Sequence, residues 1–137
     1  MSWIREILGS GERRIEVLAV MPDTRDRGAL EGIAAREHWA LRFAPGCESA
    51  SDALKKHPAA VIICDRDQLR RDWREALALL AAEAPGRPII VSAAETDDKF
   101  WIEVMERGGY DVVTRPFVEP RLVNLVRRAA GEYTDSK

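Results

Sequence analysis

One carboxylate is set apart by its position. Asp65 closes the run Ala60-Val61-Ile62-Ile63-Cys64, which is rich in β-branched residues and interrupted by nothing polar. That is how a strand buried on both faces reads. The carboxyl end of such a strand lies at the sheet edge where open α/β proteins bind ligands. Three further stretches bring chemistry to the same edge. Met21, Pro22 and Asp23 follow the apolar segment at 15–20. Ser92 and Ala93 close the segment that starts at Pro88, and a short one at 111–114 ends on Thr114 and leads into Arg115 and Pro116. The bond before Pro116 is open to the cis form. A carboxylate, a hydroxyl, a cation and further acids (Asp67 among them) are the parts needed to hold a phosphoryl group. Asp65 has the chemistry to attack phosphorus and form an acyl phosphate. A hard divalent cation held by oxygens would neutralise the transferred group. Ser92 would bond one phosphoryl oxygen and Arg115 another. The plainer reading of Asp65 is an acid that ends a strand, solvated or capping a turn.

The elements that must carry these residues alternate along the chain. Strands are expected at 15–20, 39–43, 61–65, 88–92 and 111–114, the second at a sheet edge. A helix capped by Asp23 should run to Glu37, with Leu30, Ile33 and Ala34 on one stripe. A second covers 49–57. A third opens at Asp72, where Glu75 completes a capping-box spacing. A fourth is capped by Thr96, with Asp97 and Asp98 in its first turn, and runs to Arg107. A fifth begins near Pro120 and stops at Gly131. Five strands separated by helices imply a parallel sheet with right-handed crossovers and helices on both faces. The order 2-1-3-4-5 suits a flavodoxin-like, doubly wound (βα)5 chain of this length and sets the strand of Asp65 beside the first. The expected division is a helical arm and linker at 1–13, one domain at 14–132 and a polar tail at 133–137. The arm carries Trp3, Ile4, Ile7 and Leu8 on one side, and either covers its own domain or forms a dimer.

Composition excludes several function classes. With 137 residues the chain suits one domain with one sizeable core. A net charge of −2 gives no global basic field for nucleic acid or an anionic membrane. No apolar run approaches spanning length, and the charged start is no signal peptide. Cys47 and Cys64 form no metal or disulfide pattern and fit a reducing, cytoplasmic compartment. His38 and His57 read as helix-end residues, since no ligand cluster accompanies either. Phe100 and Trp101 read as core and interface packing.

The strand ends, taken together, resemble a response-regulator receiver domain. The resemblance covers about 14–130 and rests on VIICD at 61–65, IIVSA at 89–93, GGYDVVTRPF at 108–117 and the spacing between them. It implies that Asp65 is the phosphoacceptor for a histidine kinase or phosphotransfer protein. Asp67 takes the position whose backbone carbonyl binds Mg2+, Ser92 the switch hydroxyl, Ala93 the small residue after it, and Arg115-Pro116 the final Lys-Pro pair. The chain departs from the pattern where the family carries two adjacent acids after the first strand. Met21 and Pro22 stand there, and neither ligates a hard cation. Asp23, one residue on, is a partial substitute or a helix cap. The metal set implied by resemblance is therefore Asp65, Asp67 and Asp23, thinned by the missing pair. The switch aromatic falls on Val112, with Tyr110 two residues too early.

Three functional readings follow. The first is a single-domain receiver that signals by phosphorylation of Asp65. No output domain is expected after the last helix, so output would be binding rather than catalysis, including homodimer formation. The second is a pseudo-receiver that acts as an interaction or dimerisation module without phosphorylation. The third, a binder of a small anion, is lowered by MPDTRD, which supplies no glycine-rich phosphate loop.

Overall fold

The computed structural model describes residues 14–135. The arm expected at 1–13 and the last two residues of the tail lie outside them. The elements are β1 (Glu16–Val20), α1 (Thr24–Glu37), β2 (Ala40–Ala44), α2 (Cys47–Lys56), β3 (Val61–Asp65), α3 (Trp73–Glu83), β4 (Ile89–Ala93), α4 (Asp98–Glu106), β5 (Asp111–Thr114) and α5 (Glu119–Asp135). All strand pairs are parallel, and the sheet order is β2-β1-β3-β4-β5, as the sequence predicts.

Side chains alternate across each strand, so the sheet divides its residues between two cores. Leu18, Val20, Ile62, Cys64, Ile89 and Val91 pack under α2, α3 and α4, against Leu54, Leu77, Leu80, Phe100 and Val104. Trp73 meets Phe100 edge-on in this layer, with ring centroids 5.2 Å apart. Val17, Ala19, Ile63, Ile90 and Val113 pack on the other side under α1 and α5, against Leu30, Ile33, Leu122 and Val126. β3 and β4 are buried along their whole length, while β2 is half-buried, as an edge strand should be.

Several element ends differ from expectation, each for a local reason. Trp39 is buried before β2 starts, and its N–H bonds Ala34 O. α2 starts at Cys47 rather than at Ser49, because the Ser49 hydroxyl closes back on the backbone of Gly46. Asp72 caps α3 through the Arg74 N–H, and Glu75 turns to Arg71 instead of closing a capping box. Asp97, not Thr96, caps α4, accepting from Phe100 N at 2.7 Å. Both are good caps, and the shift sets Phe100 and Val104 into the core. α5 passes through Gly131 to Asp135. One internal glycine costs about 1 kcal/mol, which does not stop a helix anchored by buried Leu122, Val126 and Ala129.

Two glycines turn the chain from α4 into β5. Gly108 has φ +91°, and a Cβ on Gly109 would sit 2.5 Å from Val104 Cγ1 and 3.0 Å from Val104 O. Gly109→Ala should therefore destabilise the protein by about 1–3 kcal/mol through overpacking. Urea unfolding checks this, and an unchanged midpoint would mean that the α4–β5 turn yields freely.

Candidate functional site

Sheet register assembles the site. Asp65 pairs with Ser92, and Ser92 with Val113, so the ends of β3, β4 and β5 lie side by side. Beyond them, Arg66 N bonds Ser92 O at 2.8 Å and Arg115 N bonds Ala93 O at 2.9 Å. These bonds carry the strand alignment one step into the loops and fix where Arg115 starts. The Arg115–Pro116 peptide is cis.

Asp65 is only 1% exposed, a severe environment for a carboxylate. Its Oδ2 accepts from Gln68 N at 2.8 Å, so the loop after β3 folds back over it. Its Oδ1 accepts a long bond, 3.4 Å, from the Ser92 hydroxyl, itself fully buried. Arg115 Nε lies 3.2 Å from the same Oδ1. That contact is an ion pair without hydrogen-bond geometry, and Arg115 Nε makes no hydrogen bond in the described structure.

The rest of the Arg115 fork is also held by carboxylates. Nη1 donates to Asp26 Oδ2 at 3.0 Å, and Nη2 donates to Asp67 Oδ2. Asp67 in addition accepts from Ala94 N at 2.8 Å and from Arg66 Nε at 2.7 Å. The Arg66 guanidinium stacks on the Phe100 ring, 4.5 Å from its centroid. Arg115 thus sits among three acids from α1, β3 and the loop after β3, with its side chain 9% exposed.

The remaining site residues predicted from sequence lie elsewhere or face elsewhere. The side chain of Met21 is buried in the core layer of Leu30 and Ile33, and its carbonyl accepts from Arg27 Nε at 2.8 Å. Asp23 caps α1, its Oδ1 accepting from Asp26 N at 3.0 Å. Ala93 is fully buried, Pro116 is exposed, and Val112 is buried at the switch-aromatic position. Asp65, Asp67 and Asp23 therefore do not converge as a metal set, and no cluster of three metal-ligating side chains stands among the described residues. A hard divalent cation wants six or more oxygens free to approach within about 2.0–2.6 Å. Here each carboxylate is engaged by backbone N–H groups or by arginine, so the residues present do not fit Mg2+.

Sequence reasoning did not single out Asp26 or Gln68. Asp26 carried a usable signal: it stands three residues after the cap Asp23, in the first turn of the helix that leaves β1 at this edge. Gln68 acts through its backbone N–H, which residue type does not announce.

The two acids of the loop titrate in opposite directions. Burial raises the Asp65 carboxyl above its ordinary value, against the pull of the Gln68 N–H and Arg115. Burial also pushes Asp67 up, but the Ala94 N–H, Arg66 and Arg115 together outweigh it and hold Asp67 below the ordinary value. Ionised Asp65 thus costs stability, a cost absent below its unfolded pKa and growing as pH rises through its folded pKa. Asp67 contributes stability above its unfolded pKa, lost as pH falls through its folded one. A carboxyl-carbon NMR titration should find Asp65 above the ordinary aspartate value of 3.8 and Asp67 below it. Asp65 titrating at or below 3.8 would refute the assignment.

With the geometry in hand, the comparisons with known proteins agree on the architecture. No family model matches the chain. It is 24% identical over 121 residues to the DNA-binding transcriptional regulator NtrC of Proteus hauseri, covering 88% of this chain and 26% of the regulator. The chain therefore spans about a quarter of the length of that relative. The crystal structure of the receiver domain of NtrX from Brucella abortus superimposes with a TM-score of 0.77 at 23% identity, covering 85% of this chain and 98% of that one. The beryllofluoride-activated NtrC4 receiver domain dimer, solved in solution, gives a TM-score of 0.78 at 20% identity, covering 85% and 97%. On sheet order, helix placement and these superpositions, the chain has the fold of a response-regulator receiver domain.

Proposed function

We propose that the chain works as a receiver in two-component signalling, with Asp65 as its phosphoacceptor. The observation that carries this reading is the convergence on one carboxylate oxygen, Asp65 Oδ1, of the Ser92 hydroxyl at 3.4 Å and Arg115 Nε at 3.2 Å. The convergence lies at the ends of β3, β4 and β5, beside the β1–β3 boundary where successive crossovers pass to opposite faces of the sheet. The donor is a histidine kinase or a phosphotransfer protein. Asp65 Oδ1 attacks phosphorus, the P–N bond of the phosphohistidine breaks, and its electron pair stays on the imidazole nitrogen. The product is an acyl phosphate on Asp65. Ser92 then bonds one phosphoryl oxygen, and Arg115 turns its fork from Asp26 and Asp67 toward the others.

That exchange of partners supplies the output. Arg115 opens the β5–α5 loop, so its movement reaches the surface beside α4 and α5. Trp101, Ile102 and Met105 of α4 are exposed there, as is Val118 before α5. We assign this apolar face to binding, with a second copy of the chain as the proposed partner. The NtrC4 receiver with the same fold is a dimer in its activated form. The buried free thiols of Cys47 and Cys64 support a cytoplasmic setting. The described helices include none long and apolar enough to cross a membrane.

Acetyl phosphate or phosphoramidate, with intact-mass detection, tests the reading. The wild-type chain should gain one phosphoryl group, and Asp65→Asn should gain none. Failure of the wild type to gain mass with either donor, in Mg2+ or in EDTA, would sink it. So would unchanged labelling of the variant.

A further inference from the structure

We infer that Arg115 is the resident cation of this site: its guanidinium occupies the centre of the Asp26–Asp65–Asp67 cluster and excludes a divalent metal. The inference concerns what neutralises the cluster and does not depend on whether Asp65 accepts a phosphoryl group.

The geometry assigns one acid to each nitrogen of the fork. Nη1 faces Asp26 at 3.0 Å, Nε faces Asp65 at 3.2 Å and Nη2 bonds Asp67. A planar fork suits this division, whereas an ammonium is a single point charge on a flexible stem. Asp65 and Asp67 come from the end of β3 and the loop after it, Asp26 comes from α1, and the Arg115 fork is the group that contacts all three. Asp65 at 1% and Arg115 at 9% exposure are shielded from water, which makes their attraction much stronger than that of a surface pair. Arg115 cannot leave without stranding three carboxylates together.

The surroundings close the other routes for a metal. Met21 offers a soft thioether, and it is turned into the core. The carbonyl of Met21 is engaged by Arg27, and Asp23 is spent on the helix cap. Arg115 Nε, buried without a hydrogen bond, lies 3.2 Å from Asp65 Oδ1, so that oxygen already faces a cation. A divalent cation entering here would have to displace a fixed charge of the same sign.

A variant that removes only that charge should therefore create what the wild type lacks. The probe is Mn2+ alone, on the whole chain after chelator treatment, with no phosphodonor present. Binding is counted by electron paramagnetic resonance and located by paramagnetic broadening of the Gln68 and Ala94 amides, which donate to Asp65 and Asp67. The wild type should show no selective broadening there and no stoichiometric binding. Arg115→Gln should bind one Mn2+ at least about tenfold more tightly than the wild type, with both amides broadened. It should also melt lower than the wild type without metal and recover on adding Mn2+. Adding Asp26→Asn should remove most of that gain. Stoichiometric Mn2+ on the wild type that broadens Gln68 and Ala94 would overturn the inference, and so would a folded Arg115→Gln that binds no better. If Arg115→Gln does not fold even with Mn2+, the wild-type broadening alone decides. Because no phosphoryl group takes part, a failure here leaves the phosphoacceptor reading standing, and a failure to phosphorylate leaves this one.

Discussion

A carboxylate at the end of a fully buried strand is the constraint around which the edge of this sheet is built. Removing an ion from water costs several kcal/mol unless partners replace the lost hydration. Asp65 finds three: the Gln68 N–H, the Ser92 hydroxyl and the Arg115 guanidinium. Each comes from a different element, so the loop after β3, the end of β4 and the end of β5 are all fixed by the same need. Burial still prevails, since the Asp65 carboxyl titrates above its ordinary value. Its ionised form is thus held in surroundings that disfavour it, against the three partners that offset the burial.

The order of strands makes the arrangement attainable. β3 sits at the middle of the sheet with β1 on one side and β4 on the other, and the β3–β4 register delivers Ser92 to Asp65. β5 pairs only with β4, which leaves Arg115 free to lean back across the strand ends toward β3 and α1. The residue at the end of β1 decides what it meets there. Met21 faces the core and adds apolar packing, so the carboxylate opposite Arg115 comes from Asp26 in the first turn of α1 instead.

Much of this was legible in the sequence, because the strongest signals were also the simplest. Unbroken β-branched runs marked β3 and β4, and alternation with helical stripes gave the order of the sheet. Asp65, Ser92 and Arg115 could be placed together because strand ends are positions that a pattern predicts. The helix starts were less legible. Asp97 and Thr96 are both good caps, and only core packing of Phe100 chooses between them. Ser49 serves a first turn rather than starting it. The partners of Asp67 were hidden for another reason. Resemblance drew attention to its backbone carbonyl, whereas its side chain ties together Ala94, Arg66 and Arg115.

The same cluster also explains why an arginine at position 115 is no neutral exchange for a lysine. A lysine would bring the same charge but could not present a separate fixed nitrogen to each of three acids. Arg115 does so, and it ties α1 to β3 and to the β5–α5 loop although Asp26 lies 89 residues away in sequence. Any new charge at Asp65 Oδ1 must compete with Asp26 and Asp67 for that one cation. A group that wins the competition loosens α1 and the loop after β3 from the β5–α5 loop together. Met21 and Pro22 stand where the receiver pattern has paired acids, and the acid that meets Arg115 from this side of the sheet is Asp26 of α1.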